Sequence, residues 1–233
     1  MSSPVEAILF DFDGVLVESE PLHCRAYQSI AKANGLTLSE DQYYDELLGH
    51  DDRGAMRRLL ELNGVAPTPK LLLKLAAEKG RMAEQLIHEK QYKALPGVEA
   101  TVRGLWRHYP LAICSGARGV EIELMLEAIR LRDCFRVIIS AEDVTFGKPD
   151  PECYLRGVEL LARKYHKRLS PTNCLVFEDA PRVIDRLKPL GFSCVALAGH
   201  IPASRFDGTA TVLNSLQSEE VRTKLPELKM YEA

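Results

Sequence analysis

The sequence predicts an α/β protein, a doubly wound parallel sheet of Rossmann-like form whose first strand is followed at once by an inserted all-helical segment. Three observations predict it. The stretch from Val5 to Glu18 is rich in branched and aromatic residues that do not alternate with polar ones, as suits a strand buried on both faces. No convincing strand pattern appears between Ser19 and Leu95, where apolar residues recur at helical spacing. From Leu111 onward, short apolar runs alternate with helical patterns, which calls for a parallel sheet with right-handed crossovers.

In chain order, the first strand should be central and should end at Asp11-Phe12-Asp13-Gly14. Ser19 is placed to cap a helix from about Glu20 to Asn34, with Pro21 tolerated in its first turn and Gly35 just past its end. Further helices are expected at Ser39 to Leu48, Asp52 to Asn63 and Pro69 to Tyr92, separated by Gly49 and by Gly64 to Pro67. Leu95-Pro96-Gly97-Val98 marks the return to the core. Strands are expected at Leu111 to Cys114, Arg136 to Ser140, Cys174 to Phe177 and Cys194 to Leu197, with a weaker one near Ala210 to Leu213. The expected division is a core of residues 1–17 and 95–233 and a helical segment of residues 18–94.

With 233 residues, 46% of them hydrophobic, the chain can fill a sizeable core. A formal charge of -3 and a pI near 6.1 provide no field to attract nucleic acid or an anionic membrane, so neither is expected as a partner. Residues 1–6 place no basic segment ahead of an apolar one, and no apolar run approaches a membrane span. A cytoplasmic protein is therefore expected, as a monomer or weak homo-oligomer. The six cysteines show no Cys-x-x-Cys pair, which argues against zinc and against a disulfide framework. Arg163 to Arg168 reads as a solvated basic run at a helix carboxyl end, and His88, His108, His166 and His200 lack paired ligand spacing.

Chemistry is expected where strands end, because ligands of open parallel sheets bind there. Asp11 and Asp13 lie two apart, on one face if the backbone stays extended, and two such anions suit a divalent cation. Gly14 permits a sharp turn after them, although Asp-Gly is also a common surface turn. Ser115 and Gly116 offer a hydroxyl and open backbone to a phosphate oxygen, though small polar residues end many strands. Lys148, between Gly147 and Pro149, is held by a constrained backbone. Glu178 and Asp179 place two more carboxylates at a strand end.

Taken together, Asp11-Phe12-Asp13-Gly14-Val15-Leu16-Val17-Glu18-Ser19, Ser115, the Gly147-Lys148-Pro149 step and Phe177-Glu178-Asp179 resemble the four motifs of the haloacid dehalogenase-like hydrolase superfamily, in order. The helical segment resembles the cap of its phosphatase and β-phosphoglucomutase-like subgroup. The resemblance implies a magnesium-dependent phosphohydrolase acting on a small phosphorylated metabolite. Asp11 would be the nucleophile that becomes an aspartyl-phosphate and Asp13 the general acid/base. Ser115 and Lys148 would hold the phosphoryl group, and Asp11, Asp13 through its carbonyl, and Asp179 would bind Mg²⁺, with Glu178 weaker or in the outer shell. An acid at Asp13 argues against a dehalogenase, whose halide leaves without a proton. The chain departs from the pattern at Val183, where Gly is customary.

Gly14, His23, Arg53 and Gly116 are the expected substrate contacts. His23 matches a histidine of β-phosphoglucomutases but also of many plain phosphatases. Mutases usually carry a Lys and an Arg where this chain has Leu48 and Asp52, and those cations would hold the second phosphate of a bisphosphate. The expected reaction is therefore hydrolysis of a sugar or polyol phosphate, with a mutase and a non-catalytic binding protein as alternatives.

Overall fold

In the computed structural model, residues 4–230 are described apart from residues 200, 207, 209 and 210. His200 and Ala210 thus lie outside the described residues. Strand β1 (Ala7–Phe10) leads through a turn to the two-residue β2 (Val17–Glu18), and the insert follows as α1 (Glu20–Ala33), α2 (Glu40–Gln42) with a π turn at Tyr43–Leu47, α3 (Asp52–Leu62) and α4 (Pro69–His88). Strand β3 (Lys93–Ala94) returns the chain to α5 (Val98–Trp106), β4 (Leu111–Cys114), α6 (Gly119–Ala128), β5 (Val137–Ile139) and α7 (Glu152–Tyr165). The chain then forms β6 (Cys174–Glu178), α8 (Pro181–Leu187), β7 (Ser193–Leu197), β8 (Thr211–Leu213) and α9 (Ser218–Lys224).

Six strands form one parallel sheet in the order β5-β4-β1-β6-β7-β8, with β1 central as its composition predicts. Successive side chains of a strand point to opposite faces. Ile8 and Phe10 accordingly enter one core with α5 and α6, and Ala7 and Leu9 a second core with α7 and α8. Phe10 stacks on Phe177 of the neighbouring β6 at 4.9 Å between ring centroids and meets Phe135 edge-on at 5.9 Å. That packing fixes the strand end from which Asp11 emerges. The insert has its own small core, in which Tyr27, Ile30, Tyr43, Met56, Leu59 and Leu75 are buried together.

Three expectations need correction. Lys93–Ala94 is a strand, pairing antiparallel with Val17–Glu18; two residues, exposed at Lys93 and Ala94, carry no periodic signal. Helix α4 stops at His88 rather than Tyr92, because Lys90 takes a left-handed conformation and its N–H and that of Gln91 turn back to Ile87 and Leu86. Ser19 gives α1 no side-chain cap, since its hydroxyl donates to Asp13 instead.

Phe10 is fully buried between two rings. Phe10→Ala is expected to lower the unfolding free energy by about 3–5 kcal/mol, measured by urea denaturation; a loss below about 1 kcal/mol would contradict this packing.

Candidate active site

The carboxyl edge of the sheet gathers four loops, one after each of β1, β4, β5 and β6. Asp11 continues β1, its N–H donating to the Phe177 carbonyl at 2.9 Å, so its carboxylate is delivered beside β6. Its Oδ1 accepts from the Phe12 N–H at 2.7 Å and from Lys148 Nζ at 2.8 Å. The same ammonium donates to Glu178 Oε2 at 2.8 Å, and Tyr154 OH donates to that oxygen at 2.5 Å. Glu178 Oε1 accepts the Asp179 and Ala180 N–H groups at 3.2 and 3.1 Å. Both Glu178 oxygens are thus engaged within the protein.

Asp11, Glu178 and Asp179 each offer an oxygen within 4.8 Å of the others, all three buried. Burial, reinforced by the Glu178 charge, raises Asp11 well above the usual carboxylate range against the pull of Lys148. Burial and the charges of Glu178 and Asp11 do the same to Asp179. In Glu178 burial acts upward too, but Lys148 and the hydrogen bonds outweigh it and hold the carboxyl low. One lysine among three buried carboxylates leaves a deficit of positive charge. An all-oxygen donor set of this kind fits a hard divalent cation. Gly14 makes room for the cluster: a Cβ there would stand 2.0 Å from Asp179 Oδ2, and its φ of +71° suits glycine. The close approach of Gly14 to Asp179 persists despite Val183, whose buried side chain lies towards Gly49 of the insert.

Asp13 has a separate set of partners. Its Oδ1 accepts from Ser19 Oγ and lies 3.2 Å from His23 Nε2, and its Oδ2 is 3.4 Å from Ser115 Oγ. Burial pushes Asp13 up, but His23, Ser19 and Lys79 outweigh it and hold the carboxyl below its ordinary value. Burial and Lys79 push His23 down, yet Asp13 prevails and raises it. The pair therefore favours charge separation, and Asp13 has a proton-sharing partner on α1. Ser115 Oγ also accepts the Ala117 N–H at 2.9 Å, which orders the loop after β4.

Asp11, Asp13, His23, Ser115, Lys148 and Asp179 line a cavity of about 60 Å³ roofed by the insert. Asp51 of the insert lies against Gly147, where a Cβ would meet Asp51 Oδ2 at 1.9 Å, and Gly116 faces the Asp51 backbone. Of the expected substrate contacts, His23 and Gly116 line the cavity and Gly14 lies beneath it against Asp179. Arg53 does not. Asp51 caps α3, accepting the Gly54 N–H at 2.8 Å, and with Ala55, Met56, Leu59 and Leu60 on the buried side of the helix, Asp52 lines the cavity. Arg53, about 100° further round the helix, is exposed on a separate depression beside Arg57.

Lys79, Glu20, Tyr27 and Tyr43 of the insert line the cavity, and Tyr154 supports its lysine; none was anticipated from sequence. Lys79 left one usable sign. It occupies the buried stripe Leu72, Leu75, Lys79, Ala83, Ile87 of α4, a cation where the period calls for an apolar residue.

A parallel α/β sheet that brings carboxylates, a buried lysine and a hydroxyl to one edge, roofed by helices, is built to handle phosphoryl groups. The chain belongs to the haloacid dehalogenase-like hydrolase family, whose model matches residues 8–196. It is 30% identical over 225 residues to hexitol phosphatase A of Escherichia coli, covering 95% of each chain. It is 29% identical to a phosphorylated carbohydrates phosphatase of Thermotoga maritima, over 80% of this chain and 82% of that one. A β-phosphoglucomutase structure from Clostridium difficile superposes with a TM-score of 0.83, covering 96% of this chain and 97% of that one at 21% identity, a likeness of fold. Family and relatives together make the protein a phosphoric monoester hydrolase.

Gly14→Ala, by displacing Asp179, is expected to lower phosphate release by about 10²-fold or more with the far-ultraviolet circular dichroism unchanged. Loss of less than about threefold would show that this close approach does not position the site.

Proposed function

We propose that the protein hydrolyses a sugar or polyol phosphate by double displacement, with residues 18–94 as a cap over a core of residues 1–17 and 95–233. The observation that carries this reading is the placement of two carboxylates with different surroundings, Asp11 on Lys148 and Asp13 on His23 and Ser115. Asp11 attacks phosphorus, the ester P–O bond breaks, and the leaving oxygen takes, through Asp13, the proton that Asp13 shares with His23. Water then attacks the aspartyl-phosphate, Asp13 takes the water proton, and the P–O bond to Asp11 breaks to release phosphate. Lys148, Ser115 and the Gly116 backbone hold the non-bridging oxygens as charge spreads over them.

Asp11, Asp179 and the Asp13 carbonyl would hold Mg²⁺, with Glu178 orienting Lys148 behind them. When bound, the ion neutralises phosphoryl and carboxylate charge. The buried acidic cluster supports this reading, as does its all-oxygen chemistry. The six cysteines are free and buried, in keeping with a reducing, cytoplasmic setting. The names of relatives that act on phosphorylated carbohydrates and hexitols support the substrate class.

A mutase is the second reading, favoured by the His23–Asp13 contact and by the fold shared with β-phosphoglucomutase. Leu48 and Asp52 in place of cations weigh against it. Conversion of β-glucose 1-phosphate to glucose 6-phosphate without free phosphate would establish the mutase instead.

Asp11→Asn is expected to abolish phosphate release from a panel of sugar and polyol phosphates while the fold stays intact; residual activity within tenfold of the parent would contradict a nucleophilic Asp11. Activity should vanish in excess EDTA after dialysis and return with Mg²⁺. Calcium should not restore it, because its larger and looser shell misplaces nucleophile and phosphate. Full activity in EDTA would count against the metal site.

A further inference from the structure

The insert supplies the wall of the cavity opposite the phosphoryl-binding loops, where the leaving group of a bound ester must lie. Among the described lining residues, its one ammonium group is Lys79, only 2% exposed. That ammonium is already committed. Nζ lies 2.8 Å from Asp52 Oδ1, the Tyr27 hydroxyl donates to the same oxygen at 2.7 Å, and the Tyr27 ring lies under the ammonium at 5.2 Å. Hydroxyl and ring together hold carboxylate and lysine in register.

The other charges nearby do not release Lys79. Glu20 is buried in the same wall and accepts the Tyr43 hydroxyl at 2.5 Å. Glu121, from α6 behind the wall, is fully buried with no hydrogen-bond partner for either oxygen, and its charge acts on Lys79. His50 lines the cavity too, but burial and the neighbouring Arg182 hold its imidazole below the ordinary value, towards the uncharged form. His23 is paired with Asp13, and Arg53 points elsewhere. Among the described lining residues, a leaving group therefore meets hydrogen-bonding groups, such as the Asp52 carboxylate and tyrosine hydroxyls, and no cation that is not already paired.

We propose that Asp52 is a specificity-determining residue. By neutralising Lys79 it makes the site select monophosphates of uncharged polyols or sugars and reject esters that carry a second anion. The inference rests on the hydrolase reading above and adds the charge of the leaving group to it. A carboxylate or second phosphate entering this cavity loses its hydration and meets Asp52 and Glu20 instead of a counter-charge. A hydroxyl at the same place can donate to Asp52 and loses nothing comparable.

Matched pairs that differ only by CH₂OH against COO⁻ test this. For the full chain with Mg²⁺, kcat/KM for glycerol 3-phosphate should exceed that for 3-phosphoglycerate by about 10²-fold, and sorbitol 6-phosphate should exceed 6-phosphogluconate similarly. Asp52→Asn, which frees Lys79, should shrink the ratio of whichever pair is turned over by about tenfold or more. Adding Lys79→Met to it should return the ratio towards that of the parent. Asp52→Ser serves the same comparison if the Asn variant does not fold. Equal turnover of both members of a pair by the parent would overturn the proposal and leave the hydrolase reading standing. So would a ratio that Asp52→Asn leaves unchanged. No phosphate release from any sugar or polyol phosphate would overturn the hydrolase reading and this proposal with it.

Discussion

Lys148 sits between Asp11 and Glu178, 2.8 Å from each and 5% exposed, and the site depends on that buried lysine. Removing it would leave three buried carboxylates with no protein cation among them, a penalty far larger than that of any surface charge. Tyr154 and the backbone amides after β6 hold Glu178, Glu178 holds Lys148, and Lys148 holds Asp11. The order of the chain of contacts matters because the outer members are on rigid elements, β6 and α7, whose packing in the core does not depend on substrate. The carboxylate proposed to react is therefore positioned before anything binds.

Burial is offset differently on the two sides of this edge of the sheet. Around Asp11 and Asp179, anions outnumber cations, and both carboxyls are raised. Around Asp13, His23 and Ser19 reverse the effect of burial. Two carboxylates two residues apart thus stand in different surroundings without any difference in residue type; the roles proposed for them need Asp11 ionised, which Lys148 favours, and a proton at Asp13, which its partner His23 can supply. The insert contributes to this directly. Ser19 opens it, His23 lies on its first helix, and the loop at Asp51 seats against Gly147, so the surroundings of Asp13 are complete only with the insert packed on the core.

Much of the core and of the site was legible in the sequence because it is local. β1, β4 and β6 read as strands from unbroken apolar runs, and in a parallel sheet their ends face ligand, so Asp11, Asp13, Ser115 and Asp179 could be singled out from where they stood, Lys148 from its place between Gly147 and Pro149, and the role of each only from the resemblance. Lys148 and Glu178 prove to be bonded to each other across 30 residues, which no local pattern encodes. Tyr154 reads as an ordinary core aromatic until its hydroxyl is seen on Glu178. Arg53 was expected at the cavity and lies outside it, because the direction of a helical side chain depends on which face the helix buries, and α3 buries Ala55, Met56, Leu59 and Leu60 with Asp52 towards the cavity. Lys79 is brought to the cavity by the pairing of α4 with α1 and α6, contacts remote in sequence. Ser19 looked like a helix cap because capping and proton-sharing use the same hydroxyl.

The claim on which these points converge is that phosphate is transferred twice, first to Asp11 and then to water. Stereochemistry at phosphorus tests it directly. Each in-line displacement inverts the phosphorus centre, so an ester with a chiral, oxygen-isotope-labelled phosphoryl group, turned over with methanol or another simple alcohol as acceptor, should give overall retention of configuration. Overall inversion would mean a single direct displacement and would contradict a covalent role for Asp11.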